Sequence, residues 1–252
     1  MNRIKVILIA LASIGLLSSS ITSFAKQTRT IVGKAYDAKT QAYLYAEDHV
    51  FNDDPANASM TSNYRDPDGE VIAQKVVRFE QGRVTEIEFE QSEMGVARKL
   101  TREPSLISYS STEDNKTSNT QFKLKPNKEV IVDAGLFMVV DRNWQALLEG
   151  EKVKFDLAMP DKKRTIGMIV SLSEVADSTA PEVMETDNVV MLSMKISSRL
   201  LRWLAPTIEL GYYKDTKQLA FYKGPSNLHD ESGKAMKPIY IVYERSENFL
   251  AG

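Results

Sequence analysis

A curled antiparallel sheet with one covering amphipathic helix is the architecture this sequence predicts. The class is β-rich α+β, half-barrel or barrel-like, with a second short helix. Three observations lead there. Many short segments alternate apolar and polar residues with period two, the habit of strands with one dry and one wet face. Turn-forming clusters separate them at hairpin spacing. One long stretch alone carries helical spacing, and the absence of a strand–helix–strand rhythm argues against a doubly wound parallel sheet.

A leader precedes the strands. Arg3 and Lys5 give a positive start, Val6 to Leu17 is apolar except for Ser13 and Gly15, and Ser23-Phe24-Ala25 closes a small, polar stretch. Small residues at the first and third places before a cut suit a signal peptidase. Residues 1–25 are therefore expected to be a signal peptide cleaved near Ala25, and 26–252 a single β-rich domain. The apolar run is shorter than the roughly 20 residues of a spanning helix. The chain has no Cys. That closes off lipid attachment at a cysteine and disulfide stapling, and an exported chain without disulfides fits a bacterial periplasm. Net charge is −2 and mean hydropathy −0.29, so neither a basic nucleic-acid-binding domain nor a membrane-spanning mature chain is expected.

The strands follow in order. Arg29 to Tyr36 and Gln41 to Phe51 flank the turn Asp37-Ala38-Lys39-Thr40. Ser59 to Arg65 and Glu70 to Phe79 flank Asp66-Pro67-Asp68-Gly69, where Pro presets one turn position and Gly accepts a positive φ. Val84 to Glu90 comes after Gly82. Ile107 to Ser110 and Thr120 to Lys125 are expected to pair across a polar loop, Ser111 to Asn119. Beyond the helix, Val153, Phe155, Leu157 and Met159 alternate with Lys152, Lys154 and Asp156. Ile166 to Leu172, Val190 to Ile196, Ile208 to Tyr213, Leu219 to Tyr222 and Pro238 to Glu244 complete the set, roughly ten strands in a length that one β-rich domain accommodates.

The main helix is expected over Ala134 to Glu149. Asp133 serves as N-cap and Gly150 as stop, and Leu136, Phe137, Val140, Trp144, Leu147 and Leu148 lie at helical spacing. A short helix, Ser198 to Ala205, is expected to bury Leu200, Leu201 and Leu204 and to end at Pro206. Dry strand faces under an amphipathic helix create either a solid core or an apolar pocket, and periodicity does not separate the two. If there is a pocket, Phe137, Val140, Trp144, Phe155, Met168 and Met194 are its expected lining, since methionine fills irregular space.

Motifs for catalysis are poor. Glu47 and His49 share a strand face, but two ligands do not make a zinc site, and His49 reads best as a partly exposed strand histidine. Glu86, Glu88 and Glu90 form a solvated strand face. Asn227, His229 and Asp230 form a candidate polar site in a turn-rich connection. No catalytic residue, metal or cofactor is expected.

The runs Gly33-Lys34-Ala35-Tyr36, Tyr45-Ala46-Glu47-Asp48-His49 and Tyr64 to Ala73 resemble the start of a family of uncharacterised proteobacterial periplasmic proteins. Asp133 to Trp144, Leu147 to Gly150 and Gly224 to Gly233 resemble its later landmarks. The resemblance spans nearly all of the mature chain and implies a periplasmic protein with no assigned catalytic role. More loosely, strands curled over helices are similar to the half-barrel of the LolA/LppX lipoprotein carriers, a likeness of fold that implies no function. Three functional readings follow. The first is a non-enzymatic periplasmic protein that carries an apolar or lipid-like ligand between sheet and helix. The second is a cell-envelope module with a solid core and a protein partner on Ser111–Asn119 or Asn227–Lys234. The third and weakest is a hydrolase using His49 or His229.

Overall fold

The computed structural model describes residues 28–54, 56–125, 128–173, 188–204 and 206–246. The expected signal peptide lies outside the described residues. Among those described, fifteen strands form one sheet. Its first half comprises β1 (Thr28–Asp37), β2 (Tyr43–Asn52), β3 (Ser59–Arg65), β4 (Val71–Glu80), β5 (Arg83–Gln91), β6 (Val96–Arg102), β7 (Leu106–Glu113) and β8 (Lys116–Lys123). The second half comprises β9 (Val130–Ile131), β10 (Val153–Met159), β11 (Arg164–Leu172), β12 (Val189–Ile196), β13 (Ile208–Tyr213), β14 (Leu219–Gly224) and β15 (Ile239–Tyr243). Between β9 and β10 lie α1 (Gly135–Arg142) and α2 (Trp144–Leu148).

The sheet order is β8 to β1, then β15 down to β9. Except for β8 and β9, strands adjacent in sequence are adjacent in the sheet, and β1 pairs with β15, Gly33 opposite Tyr243. All pairs are antiparallel except β9 with β10. The free edges, β8 and β9, are consecutive in the chain. The sheet curls so that the turn after β10 reaches the opposite edge, where Thr120 Oγ1 donates to the Pro160 carbonyl at 3.3 Å. The result is a curled, open antiparallel sheet with a seam between β8 and the β9–β10 edge. The exposed polar sequence of β8, KTSNTQFK, suits an unpaired edge.

The concave side holds two apolar clusters. The helices cross it, α1 touching β5 and α2 touching β11, with Val139 and Leu147 fully buried. Hydrophobic burial on this side is the main stabilising term.

Several expectations need correction. The thirteen segments named as strands become fifteen, because β6 and β9 add to them. In β6, VARKLTR, only Val96 and Leu100 are buried apolar residues, too few to show a period. Ser111 to Asn119 is no loop: β7 and β8 run through it to a two-residue turn at Asp114 and Asn115, both at positive φ (50° and 60°), as a type I′ hairpin requires. The long helix breaks at Asn143 (φ −109°, ψ 18°), whose Nδ2 donates to the Val139 carbonyl at 2.8 Å. Asp133 stands one residue before the helix-capping position, at φ 42°. The second helix is a 3₁₀ turn, Arg199–Leu204, with Leu200 83% and Leu201 41% exposed rather than buried. The side chain of Leu204 lies outside the described residues. The turn spans only six residues, too few to wrap an apolar stripe onto the sheet.

Candidate functional site

Strand register builds a polar layer into the concave face. Inward positions on β2 are Tyr45, Glu47 and His49; on β3, Met60, Ser62 and Tyr64; on β4, Ala73, Lys75 and Val77. Pairing sets Glu47 between Gly33 and Tyr64, and His49 beside Ser62, which in turn sits beside Lys75. His49 is buried rather than partly exposed. Its Nδ1 lies 2.6 Å from Ser62 Oγ and its Nε2 2.8 Å from Glu47 Oε1. Tyr243 Oη also donates to Glu47 Oε1.

Gly33 makes that last contact possible. It lies on β1 between Glu47 and Tyr243, and a Cβ there would stand 2.7 Å from the Tyr243 ring and 2.8 Å from Ile241 Cγ2. Only a missing side chain lets the ring lie across β1 to reach Glu47.

Lys75 Nζ donates to Asp133 Oδ1 at 2.9 Å, and the same oxygen accepts the Ala134 N–H at 2.7 Å. The left-handed backbone of Asp133 thus aims its carboxylate at β4 and turns the chain into α1. Burial opposes the charge on Lys75, but Asp133 outweighs it and holds the ammonium well above the ordinary lysine range. For Asp133, burial is likewise outweighed by Lys75, which keeps the carboxyl below its usual value. Glu47 is lowered too: against burial, the His49 charge and hydrogen bond prevail. Burial pushes the Tyr64 hydroxyl up to about 12.

The Ser62–His49–Glu47 chain has the connectivity of a nucleophile relay. Ser62, however, is 0% exposed and lines neither of the cavities described below, so a substrate cannot reach its hydroxyl. Among the described residues, no group of three or more His, Asp or Glu is placed to hold a metal.

The six apolar residues singled out from the sequence do come together. Val140, Trp144, Phe155, Met168 and Met194 are buried in the larger cluster, with Phe137 packed against it. Trp144 meets Tyr212 edge to face at 6.0 Å, and the buried Tyr212 hydroxyl has no hydrogen-bond partner among the described residues. Phe155 and Met168 also line a shallow hollow of about 350 Å³.

The polar trio of the β14–β15 connection divides. Asn227 Nδ2 donates to Tyr64 Oη at 3.3 Å, and the backbone of His229 exchanges two hydrogen bonds with the Gln91 side chain, both 2.9 Å. Arg98 donates to the Asn227 carbonyl at 3.3 Å and lies 3.4 Å from His229 Nδ1. Asp230 instead bonds within its own turn, to the Ser232 N–H and hydroxyl and the Lys234 N–H. This connection closes one end of the curl.

The opposite end of β5 and β6 opens into a cleft of about 490 Å³ between sheet and helix. Val84, Leu124, Val130, Ile131, Val132 and Met138 give it an apolar floor. Gly135 keeps it open, since a Cβ there would stand 3.2 Å from Ile131 Cγ2 and 3.6 Å from Val84 Cγ2. Arg83, Arg102, Lys125, Lys128, Glu129 and Arg142 ring the mouth. Sequence reasoning missed this cleft, because its lining comes from strand ends and turns where periodicity stops. It also missed Lys75 and Ser62, although a lysine between Ala73 and Val77 on a dry face is a readable signal.

No family model matches the chain, and no curated protein does. Among solved structures it is similar to that of a beta-barrel-like protein of Domain of Unknown Function DUF1849 from Brucella abortus. Sequence identity is 10% and the TM-score 0.39, over 87% of this chain and 95% of that one. A likeness this distant assigns no role.

Proposed function

We propose that this is a non-enzymatic binding protein that holds an apolar or lipid-like ligand between α1 and the curled sheet, acting in the periplasm after removal of its leader. The observation that carries the reading is the cleft of about 490 Å³, whose lining combines six apolar side chains with a charged rim, a volume within the roughly 300–1,000 Å³ of small-molecule sites. The inaccessible Ser62 speaks for binding over catalysis, since the best-connected polar chain in the protein lies where no substrate reaches it.

Native mass spectrometry of protein purified without detergent tests this, with palmitate and hexadecanol added in turn. The expected result is a one-to-one mass shift with at least one of them. It should be lost in Met138→Trp, which fills the cleft from the helix side. A single apo mass that neither compound shifts would overturn the proposal.

A further inference from the structure

We infer that the ligand carries an anionic head, a carboxylate or a phosphate, held at the cleft mouth by Arg83 and Arg102. This rests on the binding reading above and names the chemistry of its ligand. Five cations and one carboxylate ring the cleft, in a chain whose net charge is −2. The one carboxylate, Glu129, is already engaged by Arg142, and Lys128 by Asp156 at 3.0 Å. Among the described residues, Arg83 and Arg102 form no ion pair.

Arg102 is positioned rather than loose. Its Nη1 donates to the Val130 carbonyl at 2.8 Å, which anchors the guanidinium on the cleft wall. Burial first, and then the charge of Arg83, lower its pKa from the ordinary arginine value, while arginine stays charged. Arg83 and Arg102 both line the cleft, and the charge of Arg83 bears on Arg102, so an anion seated between them would relieve their repulsion. Guanidinium forks suit planar carboxylate and phosphate oxygens, and the apolar floor behind them suits a chain.

The test compares four probes by isothermal titration on the full mature protein: hexadecyl phosphate, palmitate, hexadecanol and inorganic phosphate. The anionic amphiphiles should bind at least ~10-fold more tightly than hexadecanol, with an advantage that shrinks as salt rises. Which anion binds more tightly distinguishes a phosphate from a carboxylate head. Arg83→Gln, at an exposed position, should reduce the advantage, and Arg83→Gln/Arg102→Gln should abolish it. Equal binding of alcohol and anions would overturn this inference and leave the binding reading standing. Binding of none would overturn the binding reading itself. Inorganic phosphate binding as tightly as hexadecyl phosphate would overturn both.

Discussion

Lys75→Met tests whether the pair at the helix entrance holds the fold together. The change keeps the hydrophobic stem and removes the ammonium. The Lys75 side chain is 8% exposed and that of Asp133 30%, so the variant strands a carboxylate that is only partly shielded from water. Breaking a buried pair by removing one partner costs ~3–5 kcal/mol. Partial exposure of Asp133 and its bond from the Ala134 N–H put the expected loss at the lower end, ~3 kcal/mol. For a chain of this size that is a fall in Tm of roughly 6–12 °C. Urea unfolding followed through the buried Trp144 measures it. Adding Asp133→Asn removes the stranded charge and should recover most of the loss. The pH dependence gives an independent reading. The folded-state value of Asp133 is depressed, so its contribution is fully present above the unfolded value of about 3.9 and is lost as pH falls through the folded one. Wild type and Lys75→Met should therefore converge below about pH 4. An unchanged urea midpoint at pH 7, or a double variant as unstable as Lys75→Met, would refute the argument.

Three further outcomes are expected. Gly33→Ala should destabilise by ~1–3 kcal/mol through overpacking against the Tyr243 ring, and a midpoint that rises, as removing a strand glycine otherwise favours, would show that the ring does not depend on that gap. Tyr212→Phe deletes a buried hydroxyl without a partner among the described residues, so calorimetry should find the stability unchanged or raised by ~1 kcal/mol; a clear loss would reveal a partner for the hydroxyl. Leu200→Ser, at a site 83% exposed, should shift the unfolding midpoint by no more than ~0.5 kcal/mol, and a larger loss would restore the buried helix expected from sequence.

Period-two alternation and turn chemistry made most of the sheet legible. The Asp66–Gly69 turn forms as expected, with Gly69 at φ 92° and Asp66 Oδ1 accepting the Asp68 and Glu70 N–H groups. Legibility failed where the side chains are polar on both faces. The β7–β8 hairpin is rich in Ser and Thr, and its strands are held by backbone pairing rather than by a dry face. The burial of Glu47, His49, Ser62 and Lys75 is hidden for a related reason. Alternation identifies a face by its apolar members, and these four sit on the apolar face with polar partners on the same strand, a neighbouring strand or the helix entrance. Only register reveals the compensation. Lys75 needs Asp133, which is distant in sequence and reaches it through a positive φ that no local pattern announces.

The chain order itself explains where the cleft lies. Joining the first and last strands, β1 and β15, places the break in the sheet midway along the chain, between β8 and β9. A meander that closed on itself would pair those edges and leave no gap. Here the connection between them must also deliver the helices to the concave side, so the backbone leaves the sheet after two residues of β9 and enters α1 through Asp133. The Lys75–Asp133 pair fixes that departure, and Arg102, bonded to the Val130 carbonyl, braces it from the other half of the sheet. The cleft lies beside the second of these attachments, lined by Arg102 and by Val130, Ile131 and Val132. Arg102 lines the cleft, within reach of an anion bound there, whereas Lys75 and Asp133 do not line it. A ligand that engages Arg102 therefore acts on the same bond that holds β9 in place. Amide hydrogen exchange at Ile131 and Val132 should slow when hexadecyl phosphate binds, while exchange at Val76 and Val77 on β4 stays unchanged. Uniform protection of both segments would point to global stabilisation and not to a brace at the seam.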